Sequence, residues 1–314
     1  LDYRPAQAPH PRGLVVVGRR TGTRRSVGDF CRHGDDGRGS PEPEAQFLVS
    51  AATVDHPTNL GFAGMVASAI CGRGMRRIMA RPILIMPVLL MPLIFVLSFT
   101  GAFVSLTRVE GYGTDNVFNW MAVYAAMQGA VFAGVGGAST TAEDIENGFF
   151  DRLLLTPGSR VPILVGTMAY SALRSTIPTT GVLLVSALGG LRLPGGPLAL
   201  VTVYVATAGM ASAFCLLGLA VVYRFRTMRS MILIQVCGFS SMFLSTGQVP
   251  IHFMNGWLHA VARVNPVTNV LRFARQGFLG DLTWTMTWPG LVALGAMVAV
   301  AGALAVHQLR RLTA

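Results

Sequence analysis

Glu143, Asp144, Glu146 and Asp151 form the one dense group of carboxylates in the sequence after residue 60. Carboxylates at such spacing can share acid and base roles or hold a divalent ion, provided that histidines or further acids converge on them. None stands nearby in the sequence, and the spacing instead suits the first turns of a helix, where the dipole favours negative charge. His252 and His259 lie seven residues apart. A metal would need further ligands, so they read as a surface pair without function. Cys31, Cys71, Cys215 and Cys237 show no paired spacing, and neither a zinc site nor a disulfide framework follows from them. All 25 basic residues are Arg. A phosphate-binding loop of the form G-x-x-x-x-G-K-S/T requires a lysine, so this chain has no such ATPase site. The expectation is therefore a chain with no catalytic residues, no metal and no cofactor of its own.

The elements that would position these residues are set by composition. Hydrophobic residues make up 52% of the chain and charged residues only 12%, about half the share usual for a soluble surface. The mean hydropathy is +0.54. Such a chain must place apolar side chains against lipid. The net charge of +11 comes from Arg scattered between apolar blocks, which excludes a nucleic-acid interface on one basic face. Residues 1–59 are rich in Gly, Pro and charge, and they read as a disordered arm.

Beyond residue 60, six stretches approach the ~20 apolar residues needed to cross a hydrocarbon core. They are 82–101, 117–137, 166–190, 198–222, 230–250 and 287–307. None alternates as a barrel strand does, so the predicted fold is an all-α integral membrane bundle of six transmembrane helices over 82–314. Residues 60–81 carry an apolar side leading into clustered Arg, as an interfacial amphipathic helix would. A positively charged stop before the first span is the alternative. Eleven Arg flank one set of helix ends and five the other, with Arg174 inside a block. The positive-inside rule then places both termini in the cytoplasm.

Two loops exceed what simple connection requires. The segment after the second predicted span, from Thr141 to Arg160, reads as an amphipathic helix started by Thr140 or Thr141 and stopped by Thr156-Pro157-Gly158. Ile145, Phe149 and Leu153, with Leu154 beside them, make one apolar stripe for the bilayer surface or for a partner's groove. The second loop, Val249 to Trp288, is too interrupted to span and too apolar to stand in water. It is predicted to dip into the outer interface as short helices, with Asn265-Pro266 as a break and Trp257 near the headgroups.

At these two loops the sequence resembles the ABC-2 type exporter permeases, most closely the daunorubicin-resistance-like branch of actinobacteria. Its most specific element is Glu146-Asn-Gly148-Phe-Phe-Asp-Arg-Leu-Leu-Leu-Thr156-Pro157-Gly-Ser-Arg160. The second is Ser245-Thr246-Gly247-Gln-Val249-Pro250, then Gly256-Trp257, Asn265-Pro266, and Arg272 or Arg275 with Gly277. The resemblance covers roughly residues 70–312. It implies a permease in a bacterial plasma membrane, moving a drug-like molecule or an envelope lipid outward. It also implies pairing with an identical or paralogous permease, and a separate ABC nucleotide-binding subunit that holds ATP and Mg. Carried over, Glu146, Gly148, Phe149, Leu153, Leu154, Thr156 and Pro157 would form the coupling element to that subunit. Trp257, Asn265, Pro266 and Arg272 would belong to an external re-entrant segment.

Arg174, Gln128 and Gln235 are the polar side chains inside apolar blocks that could line a substrate path. Snorkelling of Arg174 to the cytoplasmic headgroups, and hydrogen bonding between helices for the glutamines, are the favoured alternatives. A polysaccharide exporter shares the expected fold, but aromatics are only 9% of the chain and sit mostly at interfaces or loops. An ion-coupled carrier would need buried acids, and every acid after residue 60 sits at a loop or block edge. A membrane-embedded enzyme would need clustered carboxylates or His at one membrane face.

Overall fold

In the computed structural model the chain divides into two units, Leu1–Val54 and Asp55–Ala314. The structure describes residues 60–105, 114–154 and 160–312, so the arm over 1–59 and the residues Arg108, Thr156 and Pro157 lie outside the described residues. The described residues form helices and connections, with no strand among them. The helices are α1 (Leu60–Ala80), α2 (Met86–Phe103), α3 (Val117–Glu146), α4 (Phe149–Leu154) and α5 (Val161–Leu188). They continue with α6 (Pro197–Phe225), α7 (Met231–Phe243), α8 (Gly256–Val264), α9 (Pro266–Leu279) and α10 (Trp284–Arg311). Short 3-10 turns stand at Pro82–Leu84, Met228–Ser230 and Ile251–Phe253.

Among the described residues, α2, α3, α6 and α10 are long and apolar enough to cross a membrane. The predicted third and fifth blocks differ from them in instructive ways. Helix α5 has 28 residues, about 42 Å at 1.5 Å per residue. Its length suffices, but Arg174 and the hydroxyls of Thr167, Ser171, Ser175 and Thr179 dilute its hydropathy. Helix α7 has only 13 residues and stops at Phe243, where the sequence suggested a block continuing to residue 250. The backbone beyond it turns away from helix, and carbonyls of the last turn of α7 and of this turn are taken by side chains. Asn265 Nδ2 donates to the carbonyls of Ser241 and Leu244, and Arg275 donates to those of Thr246 and Gly247.

Helix α3 sits at the centre, packed between α5 and α6 and touched by α2, α7 and α9. Of its apolar window 89% is buried, against 22% for α2 and α10. Its sequence explains the difference. Ala122, Ala126, Ala130, Ala133 and Ala138 leave no exposed surface, and small side chains let membrane helices approach closely. At Gly134 the helix backbones themselves approach, because a methyl there would collide with the Ala211 carbonyl oxygen of α6. Outer helices carry the large side chains instead. Leu90, Ile94 and Leu97 on α2, and Ile232, Leu233 and Val236 on α7, are exposed. Apolar faces of this extent belong against lipid or another subunit rather than water.

Helix α1 lies along α5, where Ile70 and the Ala67 backbone fill the space beside Gly166, and the Tyr170 ring covers Gly74. Met65 on α1 remains exposed.

Candidate coupling site

Helix α3 does not end where Thr140 and Thr141 suggested a new helix would begin. Ser139 Oγ donates to the Val135 carbonyl at 2.9 Å and Thr140 Oγ1 to the Gly137 carbonyl at 2.7 Å. These hydroxyls are used within the helix, bonding back to the preceding turn, and cap nothing. Glu143, Asp144 and Glu146 therefore occupy the last turn of α3 and not the first turn of another helix. That placement inverts the electrostatics, since the carbonyl end of a helix repels negative charge.

Each acid is compensated by its own donor, two from α1 and one from the α6–α7 connection. Glu143 pairs with Arg77 and Asp144 with Arg73, both from α1. Glu146 Oε1 accepts from the backbone N–H of Met228 at 2.7 Å, in the connection between α6 and α7. The three carboxylates thus stitch the end of the central helix to α1 on one side and to the α6–α7 connection on another.

Beyond them the chain breaks at Asn147-Gly148, where Gly148 has φ of +69°. An L side chain would be strained there. Helix α4 follows at once, and the break resets its phase. The predicted stripe of Ile145, Phe149 and Leu153 assumed an unbroken helical period. In the structure Phe150 is the aromatic that enters the core, its ring 5.6 Å from that of Tyr223. Phe149 is exposed, with the Arg73 guanidinium 4.7 Å from its ring centroid. Leu153 and Leu154 are half-buried against the core, while Asp151 and Arg152 face outward. The site is a surface built on tethered carboxylates. It presents a short helix with one aromatic and two charges outward, anchored by one buried ring and by the tethers of α3.

The second set of predicted residues gathers at the other end of α3. Asn265 caps α9, its Oδ1 accepting from the Val267 N–H at 3.0 Å while its amide group holds the end of α7. Pro266 follows at the first helical position, which its missing N–H suits. Trp257 on α8 and Arg272 on α9 are exposed. Arg275, quoted in the motif but given no role by the sequence, is the residue at the centre. It is 2% exposed, and it donates from Nη1 to the Thr246 carbonyl at 3.1 Å and from Nη2 to the Gly247 carbonyl at 2.9 Å. Periodicity holds the missing signal, since Thr268, Leu271, Arg275 and Phe278 recur on the buried side of α9 while Arg272 falls off it.

Arg174, Gln128 and Gln235 do not converge. Arg174 is buried at the contact of α5 with α3, its guanidinium packed on Gly136 and its neighbour the Tyr170 hydroxyl. The snorkelling expected of it is replaced by burial, because Gly136 opens a groove on α3 for the side chain. Gln128 and Gln235 meet at a different contact, between α3 and α7. The interhelical hydrogen bond expected of them is missing for Gln128. Its buried amide makes no hydrogen bond among the described residues.

The model of the family described as ABC-2 type transporter matches residues 66–279, a range that starts within α1 and closes at the last residue of α9. No curated protein matches the sequence.

Proposed function

Because the chain belongs to the ABC-2 type transporter family, we propose that it is the permease subunit of an ATP-driven exporter of hydrophobic compounds, drug-like molecules or envelope lipids. The family places it as a multi-pass membrane protein and as the permease component of an ABC exporter, not an ATPase in its own right. A separate ABC nucleotide-binding subunit, holding ATP and Mg, supplies the energy. In this reading α2, α3, α5, α6, α7 with the turn after it, and α10 are the six spans of a bacterial plasma-membrane protein. Both termini and α4 lie in the cytoplasm, and α8 and α9 form the external re-entrant segment. The exposed faces of α2 and α7 meet lipid and a second permease, identical or paralogous.

The observation that carries the proposal is the placement of α4. A partner gripping Phe149, Asp151 and Arg152 pulls on a helix joined by two residues to the most buried element of the bundle. Thr156 and Pro157 complete the element in the family resemblance. Substrates of a hydrophobic class suit the apolar outer faces better than a polysaccharide would.

The test is ATP hydrolysis by the chain reconstituted with its nucleotide-binding subunit, compared with a Phe149→Ala, Arg152→Glu variant. The intact pair is expected to co-purify and to hydrolyse ATP at a rate that responds to added hydrophobic compounds, while the variant associates poorly or loses the response. A chain that purifies alone and leaves the ATPase unchanged would overturn the proposal.

A further inference from the structure

A cavity of about 480 Å³ opens at the end of α3 remote from α4, between α9, the start of α10 and the Ile251–Phe253 turn. Its size falls within the ~300–1,000 Å³ of small-molecule sites. One wall is apolar, made by Leu279, Met286, Pro289 and the Trp120 ring. The polar groups are of both signs. His252, Arg272, Arg275 and Asp281 line the cavity; Arg275 is engaged with the carbonyls of Thr246 and Gly247, whereas neither the Arg272 nor the Asp281 side chain has a hydrogen bond or ion pair among the described residues. Deeper in, Thr246 is 3% exposed and its Oγ1 has no hydrogen-bond partner among the described residues. Gln276, 2% exposed, accepts from Thr287 through Oε1 at 3.0 Å, which leaves its amide hydrogens for the cavity. A buried hydroxyl without a partner is costly. An occupant with acceptor oxygens would satisfy it.

The depth of the cavity in the membrane follows from tryptophan. Trp257, Trp284 and Trp288 are exposed at this end of the bundle, and Trp120, the remaining tryptophan, lines the cavity itself. Tryptophans gather where headgroups meet hydrocarbon. A site at that depth, with an apolar wall and with Arg272 and Asp281 at its mouth unpaired among the described residues, fits one kind of molecule. We infer that the cavity binds the headgroup of a zwitterionic membrane lipid carrying a phosphate and a primary ammonium group. The phosphate is held by Arg272 with Gln276 and Thr246 beneath it. Asp281 takes the ammonium group, and the first carbons of the chains lie along Leu279, Met286 and Pro289. Asp281 also weakens binding of purely anionic lipids, because it leaves a like charge uncompensated. The inference rests on membrane insertion alone and does not depend on what is exported or on a nucleotide-binding partner.

Native mass spectrometry tests it, on protein reconstituted in nanodiscs of equal phosphatidylethanolamine and phosphatidylglycerol and then released into detergent. Intact protein is expected to retain phosphatidylethanolamine preferentially. Arg272→Ala should reduce that retention roughly tenfold, the loss of one charged contact, and Arg272→Lys should restore most of it. Asp281→Asn should shift the preference toward phosphatidylglycerol. Because both residues are exposed, the thermal melts of the variants should match the intact protein, which separates lost binding from lost folding. Free phosphoethanolamine, which lacks chains, should compete only weakly. Retention that neither substitution changes, a preference of the intact protein for phosphatidylglycerol, or displacement by phosphoethanolamine as effective as by the lipid would each overturn the inference.

Discussion

The guanidinium carbon of Arg275 stands 3.7 Å from the centroid of the Trp120 ring, joining α9 to the first turn of α3. The same side chain donates to the carbonyls of Thr246 and Gly247. One buried cation therefore satisfies a stretch of non-helical backbone that would otherwise sit unpaired in an apolar surrounding. Burial of an arginine at this depth is sustained by those carbonyls and by the ring face together.

Arg275→Ala removes both contacts and leaves two carbonyls exposed to a cavity. The expected loss is about 3 kcal/mol, seen as a fall of roughly 5–10 °C in the melting temperature of the detergent-solubilised protein. Arg275→Lys keeps the charge but not the two-pronged geometry, and it should recover less than half of the loss. A melt unchanged by Arg275→Ala would show that the turn after α7 holds itself.

Glu146 makes a second prediction. Its carboxylate accepts from the Met228 N–H, an arrangement worth about 1 kcal/mol at a helix start. Glu146→Gln retains an acceptor oxygen and should leave both stability and stimulation of the partner ATPase near the starting level. Glu146→Ala frees the end of α3 from the α6–α7 connection, so coupling should fall further than stability does. Arg73→Ala or Arg77→Ala should each cost under about 1 kcal/mol, since these pairs are partly solvated, and the effect should shrink as salt rises. Equal losses for Glu146→Gln and Glu146→Ala would mean that charge, and not the hydrogen bond, is what matters.

Gln128 is 2% exposed and its amide has no hydrogen-bond partner among the described residues. A methionine of similar length removes an unpaired buried group, so Gln128→Met should raise stability by about 1 kcal/mol. Export measured in the same variant decides whether the amide also serves cargo. Unchanged export marks it as a packing defect of the α3–α7 contact, and a drop in export with raised stability marks it as a contact on the path.

Hydropathy located the long apolar helices well. The blocks 82–101, 117–137, 198–222 and 287–307 each fall largely within α2, α3, α6 or α10. What hydropathy could not show was where helices stop when side chains from elsewhere decide it. The end of α7 depends on Asn265 and Arg275, more than twenty residues further along the chain. The extension of α3 through Thr140 and Thr141 likewise depends on hydroxyls that can cap a helix or bond within one, and local sequence does not choose between these uses. The acids 143–146 were legible as a helix terminus, but their end of the helix was not, because Arg73 and Arg77 reverse the usual preference from some seventy residues away. In the candidate site, Glu146 and Gly148 stood out from the sequence. Phe150 did not, since the break before it shifts the register.

Three of the long helices carry an internal proline, Pro92, Pro178 and Pro289 in α2, α5 and α10. Helix α3 has none along its 30 residues. Trp120, under Arg275, and Glu146, at the break before α4, are thus the two ends of one rigid lever, about 39 Å apart at 1.5 Å per residue. A tilt of about 5° imposed at Glu146 displaces Trp120 by roughly 3 Å if the fulcrum lies near the opposite end. With the close seat of Gly134 against Ala211 as the fulcrum, near mid-helix, the two ends would swing in opposite senses by about half that amount. In the proposed coupling role of α4, a push at the Glu146 end would then move the Trp120 end the opposite way without any bond within the helix having to change.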